Sequence, residues 1–146
     1  MTNGVSSRSK TKKNEILKRK NAAVKSSRIL GANKPKFFNF KDNAMDSVSL
    51  LKIIKKIEKE VNNFKPSIIF THYNGDLNID HEITSRATLT ACRPTKNSSV
   101  KSLFMFYVPS STEWSHKKNK NNFVPNWFED ISKSYKKKKI ALNCYK

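Results

Sequence analysis

The feature that most constrains the fold is a short apolar run at residues 67–71 (SIIFT), which lies between two segments with helical patterns. This run is too short for a stable helix, and its β-branched and aromatic side chains favour a strand. No charged residue alternates with the apolar ones, which is typical of a strand buried on both faces of a parallel sheet. A strand placed between helices indicates an α/β fold.

Other patterns predict the elements around this strand. Apolar residues at helical spacing predict helices at residues 14–30, 47–64, 81–92 and 130–145. Short apolar runs predict strands at residues 36–40 (KFFNF) and 103–108, and residues 115–126 are expected to form an exposed loop. In the second helix, Asp46 or Ser47 is the expected N-terminal cap. The expected buried stripe of that helix consists of Leu50, Leu51, Ile53, Ile54, Ile57, Val61 and Phe64.

Several classes of protein are excluded by what the sequence lacks. No apolar run approaches the ~18–20 residues that cross a bilayer, so no membrane span is expected. The basic N-terminal segment is not followed by the apolar region of a secretory signal. The two cysteines, Cys92 and Cys144, provide neither a disulfide framework nor a zinc ribbon. We therefore expect reduced thiols and a cytoplasmic location.

The charge of the chain raises the question of a nucleic-acid partner. Lys and Arg number 30 against 11 Asp and Glu, which gives a net charge of +19. Clustered basic residues bind phosphates by releasing counterions. However, only five of the basic residues are Arg, the preferred bidentate reader of phosphate and guanine. Abundant Lys and Asn are typical of drift on tolerant surfaces, so we expect no specific nucleic acid, and a basic nucleic-acid-binding module is kept as an alternative.

Residues 72–81 (HYNGDLNIDH) carry the best candidates for chemistry. They follow the predicted strand at its carboxyl end, where open α/β sheets place their sites. A neutral ring nitrogen of His81 is a suitable metal ligand, and Asp76 or Asp80 can ligate a metal or orient a histidine. The structural alternative is that Asp80 caps the following helix and that His72 forms a hydrogen bond within the loop. The only other histidine, His116, lies in a lysine-rich segment.

Six segments in fixed order resemble one enzyme family. They are MTNGVSSR at 1–8, RKNAAVKSSRILG at 19–31, FFNFKDN at 37–43, THYNGDLNIDH at 71–81, TACRP at 90–94 and VPSSTEW at 108–114. Together they resemble the PIG-L/LmbE family of zinc-dependent de-N-acetylases, which act on N-acetylglucosamine-type substrates. The resemblance covers nearly all of residues 1–146. It implies one domain with a Rossmann-like, LmbE-like three-layer fold, a mostly parallel sheet and a small-molecule amino-sugar substrate.

The resemblance also assigns roles to residues of this sequence. Family members hold zinc with a His and an Asp of an N-terminal HPDDE-type motif and with a later His, which corresponds here to His81. A histidine that often stabilises the oxyanion is replaced by Asn78, whose amide can still donate a hydrogen bond. Asp80 would tune or orient the site. The expected substrate contacts are Arg93, Ser111 and Glu113.

One element of the family pattern is absent. No HPDDE-type motif occurs in the sequence, so we expect the first strand, two zinc ligands and the general base to be missing and both ends to be clipped. Zinc is the cofactor that the resemblance implies, yet this chain alone is expected to be inactive. A metal-free, degenerate relative that serves as a binding or structural partner is a further alternative. The sequence leaves open whether the chain is itself an enzyme, and it does not predict the oligomeric state.

Overall fold

A computed structural model of the chain describes residues 1–5, 7, 13–115 and 122–145. The described residues form four α-helices and two β-strands. In chain order they are α1 (Lys13–Leu30), α2 (Leu50–Phe64), β1 (Ile68–His72), α3 (Ile79–Ala91), β2 (Ser102–Phe106) and α4 (Tyr135–Asn143), with 3₁₀ turns at Met45–Ser47 and Thr112–Trp114.

The two strands form a small parallel sheet. Ile68 pairs with Ser102 at one end and His72 pairs with Phe106 at the other. The crossover between them contains α3, as expected for parallel neighbours, which cannot be joined by a tight turn. The mixture of helices with a parallel sheet agrees with the predicted α/β class.

The prediction that β1 is buried on both faces is wrong. Thr71 is 3% exposed, and its hydroxyl contacts that of Thr88 on α3 at 3.4 Å. On the opposite face of the strand, Ile68 and Phe70 are 51% and 64% exposed. Among the described residues one face of the sheet is therefore covered by the crossover helix and the other is open. On β2, Leu103, Phe104 and Met105 are half-buried and Phe106 is exposed.

The second predicted helix starts later than its pattern indicated. Residues 45–47 form a 3₁₀ turn, and α2 begins after Ser49, so the predicted cap at Asp46 or Ser47 is wrong. The helix ends where Lys65 adopts a left-handed conformation (φ 49°) before Pro66. The predicted stripe is only partly buried: Ile53 and Ile54 are buried, whereas Leu51 and Phe64 are exposed. Among the described residues α2 packs chiefly against α3, and one helix covers a narrower stripe than a complete layer does.

The other elements agree with their predictions to different degrees. Helices α1 and α3 lie within two residues of the predicted bounds, and Gly31 (φ 74°) ends α1 as expected. Residues 36–40 are not a strand, because only Phe40 forms a bridge, with Thr2, and Asn39 has a φ of 57°. The last helix begins at Tyr135 rather than at residue 130. In the predicted loop at 115–126, residues 116–121, including His116, lie outside the described part of the chain.

The chain divides into two compact units, which we call the terminal unit (Met1–Asp42 and Pro125–Lys146) and the central unit (Asn43–Val124). In the terminal unit α1 packs against α4, and Ala22 and Ala141 are buried. In the central unit α3 packs against α2, β1 and the 3₁₀ turn at Met45–Ser47, and Met45 and Ile53 are fully buried. A single domain over residues 1–146 stays a prediction. No described helix is long and apolar enough to span a membrane.

Candidate functional site

The two histidines of the 72–81 segment meet at the carboxyl edge of the sheet. His72 is the last residue of β1, and its ring centroid lies 4.7 Å from that of Phe106, the last residue of β2. The ring of His81, in the first turn of α3, stacks on His72 at 3.8 Å with an interplanar angle of 6°. The predicted segment therefore lies at the sheet edge where α/β folds place their sites.

Asn78 determines where α3 begins and so where His81 is placed. Its side-chain oxygen accepts hydrogen bonds from the backbone N–H groups of Asp80 (2.9 Å) and His81 (3.4 Å). This is N-terminal capping, for which Asn is among the preferred residues. The alternative that Asp80 caps α3 is wrong. Because Asn78 precedes the helix by one residue, His81 projects from the first turn, next to the strand ends.

Asp76 is a buried carboxylate that joins this segment to the loop after β2. The residue is 5% exposed, and one oxygen accepts hydrogen bonds from the hydroxyls of Thr112 (2.6 Å) and Ser111 (3.1 Å). Its other oxygen accepts the backbone N–H of Asn78 at 2.9 Å and lies 3.2 Å from Nδ1 of His81. Burial by itself would raise the pKa of Asp76, but the hydrogen bonds from Thr112, Asn78 and Ser111, with the nearby His81, lower it below its ordinary value.

The geometry excludes a Ser-His-Asp nucleophile in this arrangement. The hydroxyl of Ser111 lies 3.2 Å from Nδ1 of His81, the same nitrogen that faces Asp76. In a catalytic triad the serine and the carboxylate contact opposite nitrogens of the ring. Here both contacts fall on Nδ1, and neither residue contacts Nε2. A carboxylate on one nitrogen and a ligand position on the other is the arrangement of metal-binding histidines.

Asp80 uses its carboxylate differently. It is 5% exposed, and its two oxygens accept the backbone N–H groups of Asn43 (2.7 Å) and Met45 (3.0 Å). The side-chain amide of Asn78 donates to the side-chain oxygen of Asn43 at 3.2 Å. Asp80 and Asn78 thus attach the segment before α2 to the start of α3.

His72 has an unusual environment for a histidine. Its Nδ1 is buried and has no hydrogen-bond partner among the described residues, so it does not form the loop hydrogen bond considered from the sequence. Burial, followed by the proximity of His81, lowers the pKa of His72 from 6.5 to about 4, although Asp76 acts in the opposite direction. The ring is consequently neutral at pH 7.

Beyond the histidine pair, aromatic residues continue both strands. Tyr73 follows β1 and Tyr107 follows β2, and the ring of Phe123 lies 5.3 Å from Tyr73 and 5.6 Å from Tyr107. Desolvation and the carboxylate of Glu113, which accepts a hydrogen bond from the phenol, raise the pKa of Tyr107. Glu113 is itself exposed. Glu113, one of the predicted substrate contacts, lies on the same loop as Ser111.

The structure does not bring Arg93 to the histidine pair. Arg93 follows the carboxyl end of α3, a helix of 13 residues and thus about 20 Å long at 1.5 Å per residue, whereas His81 lies in its first turn. The guanidinium donates to the carbonyl of Thr90 at 3.2 Å. Arg93 lines a separate open depression of about 620 Å³ near the ends of α2 and α3.

Thr112 was missed by the sequence analysis. The shortest hydrogen bond to Asp76 comes from its hydroxyl, and the available signal was a pair of hydroxyl residues shortly after a second parallel strand. Carboxyl ends of parallel strands share an edge. A Ser-Thr pair at that position thus belongs near the 72–81 segment.

The residues present fit one position of a zinc site and not a complete site. The described part of the chain contains no group of three or more His, Cys, Asp and Glu that could hold a metal ion. Catalytic zinc takes about three protein ligands and a water. His81 suits one of these positions, because Asp76 faces Nδ1 and the other ring nitrogen, Nε2, is the one a metal would take.

Comparison with known proteins gives one match. A family model described as PIG-L, GlcNAc-PI de-N-acetylase, matches residues 1–92. No curated protein and no solved structure matches the chain. The matched residues include Asp76, Asn78 and His81, and they end before β2 and the loop that carries Ser111 and Thr112.

Proposed function

The chain belongs to the PIG-L family of GlcNAc-PI de-N-acetylases, and from that premise we propose that its site serves hydrolysis of the acetamide of an N-acetylglucosamine-type substrate. The observation that carries this proposal is the Asp76–His81 pair. The pair lies within the matched residues, at the carboxyl edge of a parallel sheet. Nδ1 of His81 lies 3.2 Å from a carboxylate oxygen of Asp76. A small-molecule amino-sugar conjugate is the partner in this proposal.

Zinc is the metal that we propose for this site, with His81 as one ligand. The other ligands and the base come, in the family pattern, from an HPDDE-type motif that this sequence lacks. We therefore propose that residues 1–146 alone neither hold catalytic zinc tightly nor release acetate.

The polar residues around His81 receive roles within this proposal. Asn78 directs one hydrogen of its amide group to Asn43, and we assign the other to an oxyanion at the acetamide carbon. Asp80 anchors the segment before α2 and so orients Asn78 through Asn43. Ser111 and Glu113 stay our proposed contacts to the sugar from the β2 side. Arg93 lies beside a separate depression. We therefore propose that it contacts a part of the conjugate that is distant from the acetamide.

A three-layer, Rossmann-like arrangement in a single domain over residues 1–146 is also part of the proposal. The open face of the sheet, with Ile68 and Phe70 exposed, is the face that a further layer would cover in such a fold. A cytoplasmic location is supported by the two free thiols of Cys92 and Cys144.

Recognition of the acetamide can be tested without turnover. We would titrate the ¹⁵N-labelled chain with N-acetylglucosamine and, as a matched control, with glucosamine, which lacks the acetyl group. The expected result is a saturable shift of the ring signals of His81 and the side-chain amide signals of Asn78 with the acetylated sugar only. Equal shifts with both sugars, or none with either, would show that the site does not recognise this substrate class.

A further inference from the structure

Four side chains from two distant segments form one hydrogen-bonded group, which we call the Asp76 network: Asp76, His81, Ser111 and Thr112. Ser111 and Thr112 are 8% and 5% exposed. Because water has little access to these groups, the direction of each hydrogen bond is set within the network itself.

The donors of the network can be followed one by one. Thr112 accepts the backbone N–H of Val108 at 2.9 Å and donates its own hydroxyl hydrogen to Asp76 at 2.6 Å. Ser111 donates its single hydroxyl hydrogen to the same carboxylate oxygen at 3.1 Å. A hydroxyl has only one hydrogen to give, so Ser111 presents lone pairs to its other neighbour, Nδ1 of His81.

Both polar neighbours of Nδ1 are therefore acceptors. The second oxygen of Asp76 and the hydroxyl of Ser111 each lie 3.2 Å from this nitrogen, and an ionised carboxylate can only accept. Nδ1 must carry a hydrogen to satisfy either contact. In the neutral ring the lone pair then belongs to Nε2.

We propose that Asp76 is a positioning residue that holds the neutral ring of His81 in its Nδ1–H tautomer, with Ser111 and Thr112 holding Asp76 in place. The use of the Nε2 lone pair as a ligand rests on the proposed function. The tautomer itself is a property of this chain without metal or substrate.

Asp80, in the first turn of α3 beside His81, offers a matched comparison with Asp76. It is as buried as Asp76, at 5% exposure, but its oxygens accept backbone N–H groups of Asn43 and Met45 rather than facing a histidine ring. Replacement of Asp80 removes a buried carboxylate of equal charge and leaves the neighbours of Nδ1 unchanged. A variant at Asp80 therefore distinguishes a specific effect on the tautomer of His81 from a general loss of stability.

The experiment is a long-range ¹H–¹⁵N correlation spectrum of the chain labelled at histidine, recorded with a chelator at a pH where the rings are neutral. For the wild type we expect the Nδ1–H tautomer of His81. In Asp76→Asn the ratio of Nδ1–H to Nε2–H should fall by about tenfold, the effect of losing one charge-assisted hydrogen bond. Asp80→Asn should lower the unfolding midpoint and leave that ratio unchanged.

Two further variants keep the test decisive if Asp76→Asn does not fold. Thr112→Val removes the shortest hydrogen bond to Asp76 and should shift the ratio in the same direction, and Thr112→Ser should restore it. The Nε2–H tautomer in the wild type, or a ratio unchanged in Asp76→Asn and Thr112→Val, would overturn the proposal. Failure of the sugar titration with the Nδ1–H tautomer present would instead count against the proposed function alone.

Discussion

At the scale of single residues, His72 couples the stability of the site to pH. Its ring contacts those of His81 and Phe106, and its buried Nδ1 lacks a hydrogen-bond partner among the described residues. Burial and His81 lower its pKa from 6.5 to about 4. Between these values the unfolded chain binds a proton that the folded chain does not, so the free energy of unfolding falls as the pH decreases. Below about pH 4 both states are protonated and this contribution no longer changes.

We therefore expect the urea midpoint of the metal-free chain to fall between pH 6.5 and pH 4, and His72→Phe to remove part of that fall. Phenylalanine keeps an aromatic ring against Phe106 and has no titrating group. The measurement is the urea midpoint of both proteins across this range. If the two proteins lost stability in parallel, the pH dependence would have to come from groups other than His72.

The two aspartates of the site show what a sequence can tell about single residues. From their spacing alone Asp76 and Asp80 were equal candidates to orient a histidine, because both lie within a few positions of His81, and the family resemblance selected Asp80. The difference between them comes from partners that are distant in the chain: Ser111 and Thr112 contact Asp76, whereas Asn43 and Met45 contact Asp80. The sequence thus predicted which segment forms the site, but it did not predict which of the two aspartates faces His81.

At the scale of elements, the start of α3 depends on a single side chain. Asn78 accepts two backbone N–H groups with its oxygen and donates to Asn43 with its nitrogen. Loss of an N-terminal cap costs about 1 kcal/mol. We expect Asn78→Ala to lower the free energy of unfolding by about this amount, measured by urea denaturation.

The substitution Asn78→Asp distinguishes the capping role of the side-chain oxygen from the hydrogen-bond donation by the side-chain nitrogen. An aspartate keeps the capping oxygen and is a good cap, but it has no N–H to offer to Asn43 or to an oxyanion. It should retain more stability than Asn78→Ala and weaken the response of the site to N-acetylglucosamine. If Asn78→Asp were as unstable as Asn78→Ala, capping would not be the main contribution of Asn78.

The bounds of α1 and α3 were predicted more closely than the extent of the sheet, for a physical reason. The bounds of α1 and α3 follow from patterns and end signals within each segment. The run at 36–40 has the composition of a strand, but a strand needs a partner, and there only Phe40 forms a bridge. The apolar runs at 67–71 and 103–108 do predict β1 and β2. The number of layers that cover the sheet depends on tertiary packing, which the composition of a single strand does not determine.

At the scale of the whole molecule, the net positive charge and the small number of metal ligands both weaken the binding of zinc. The net charge of +19 produces a positive potential that attracts polyanions and repels cations. A basic nucleic-acid-binding module is therefore a physically reasonable alternative on charge alone. The family match and the Asp76–His81 pair support the deacetylase proposal instead, and the positive potential then has a second consequence, for metal binding.

Zinc affinity combines this potential with the number of ligands. His81 suits one ligand position, and the described residues contain no cluster of three metal-binding side chains. A dication approaching a chain of charge +19 is also repelled, although salt screens that repulsion beyond about 10 Å at 0.1 M. We expect much less than one zinc per chain after dialysis, by elemental analysis, and an equal amount in His81→Ala. Added salt should raise the weak affinity slightly. One zinc per chain that is lost in His81→Ala would mean that residues 1–146 contain the other ligands after all, and the proposed inactivity of this chain would have to be abandoned.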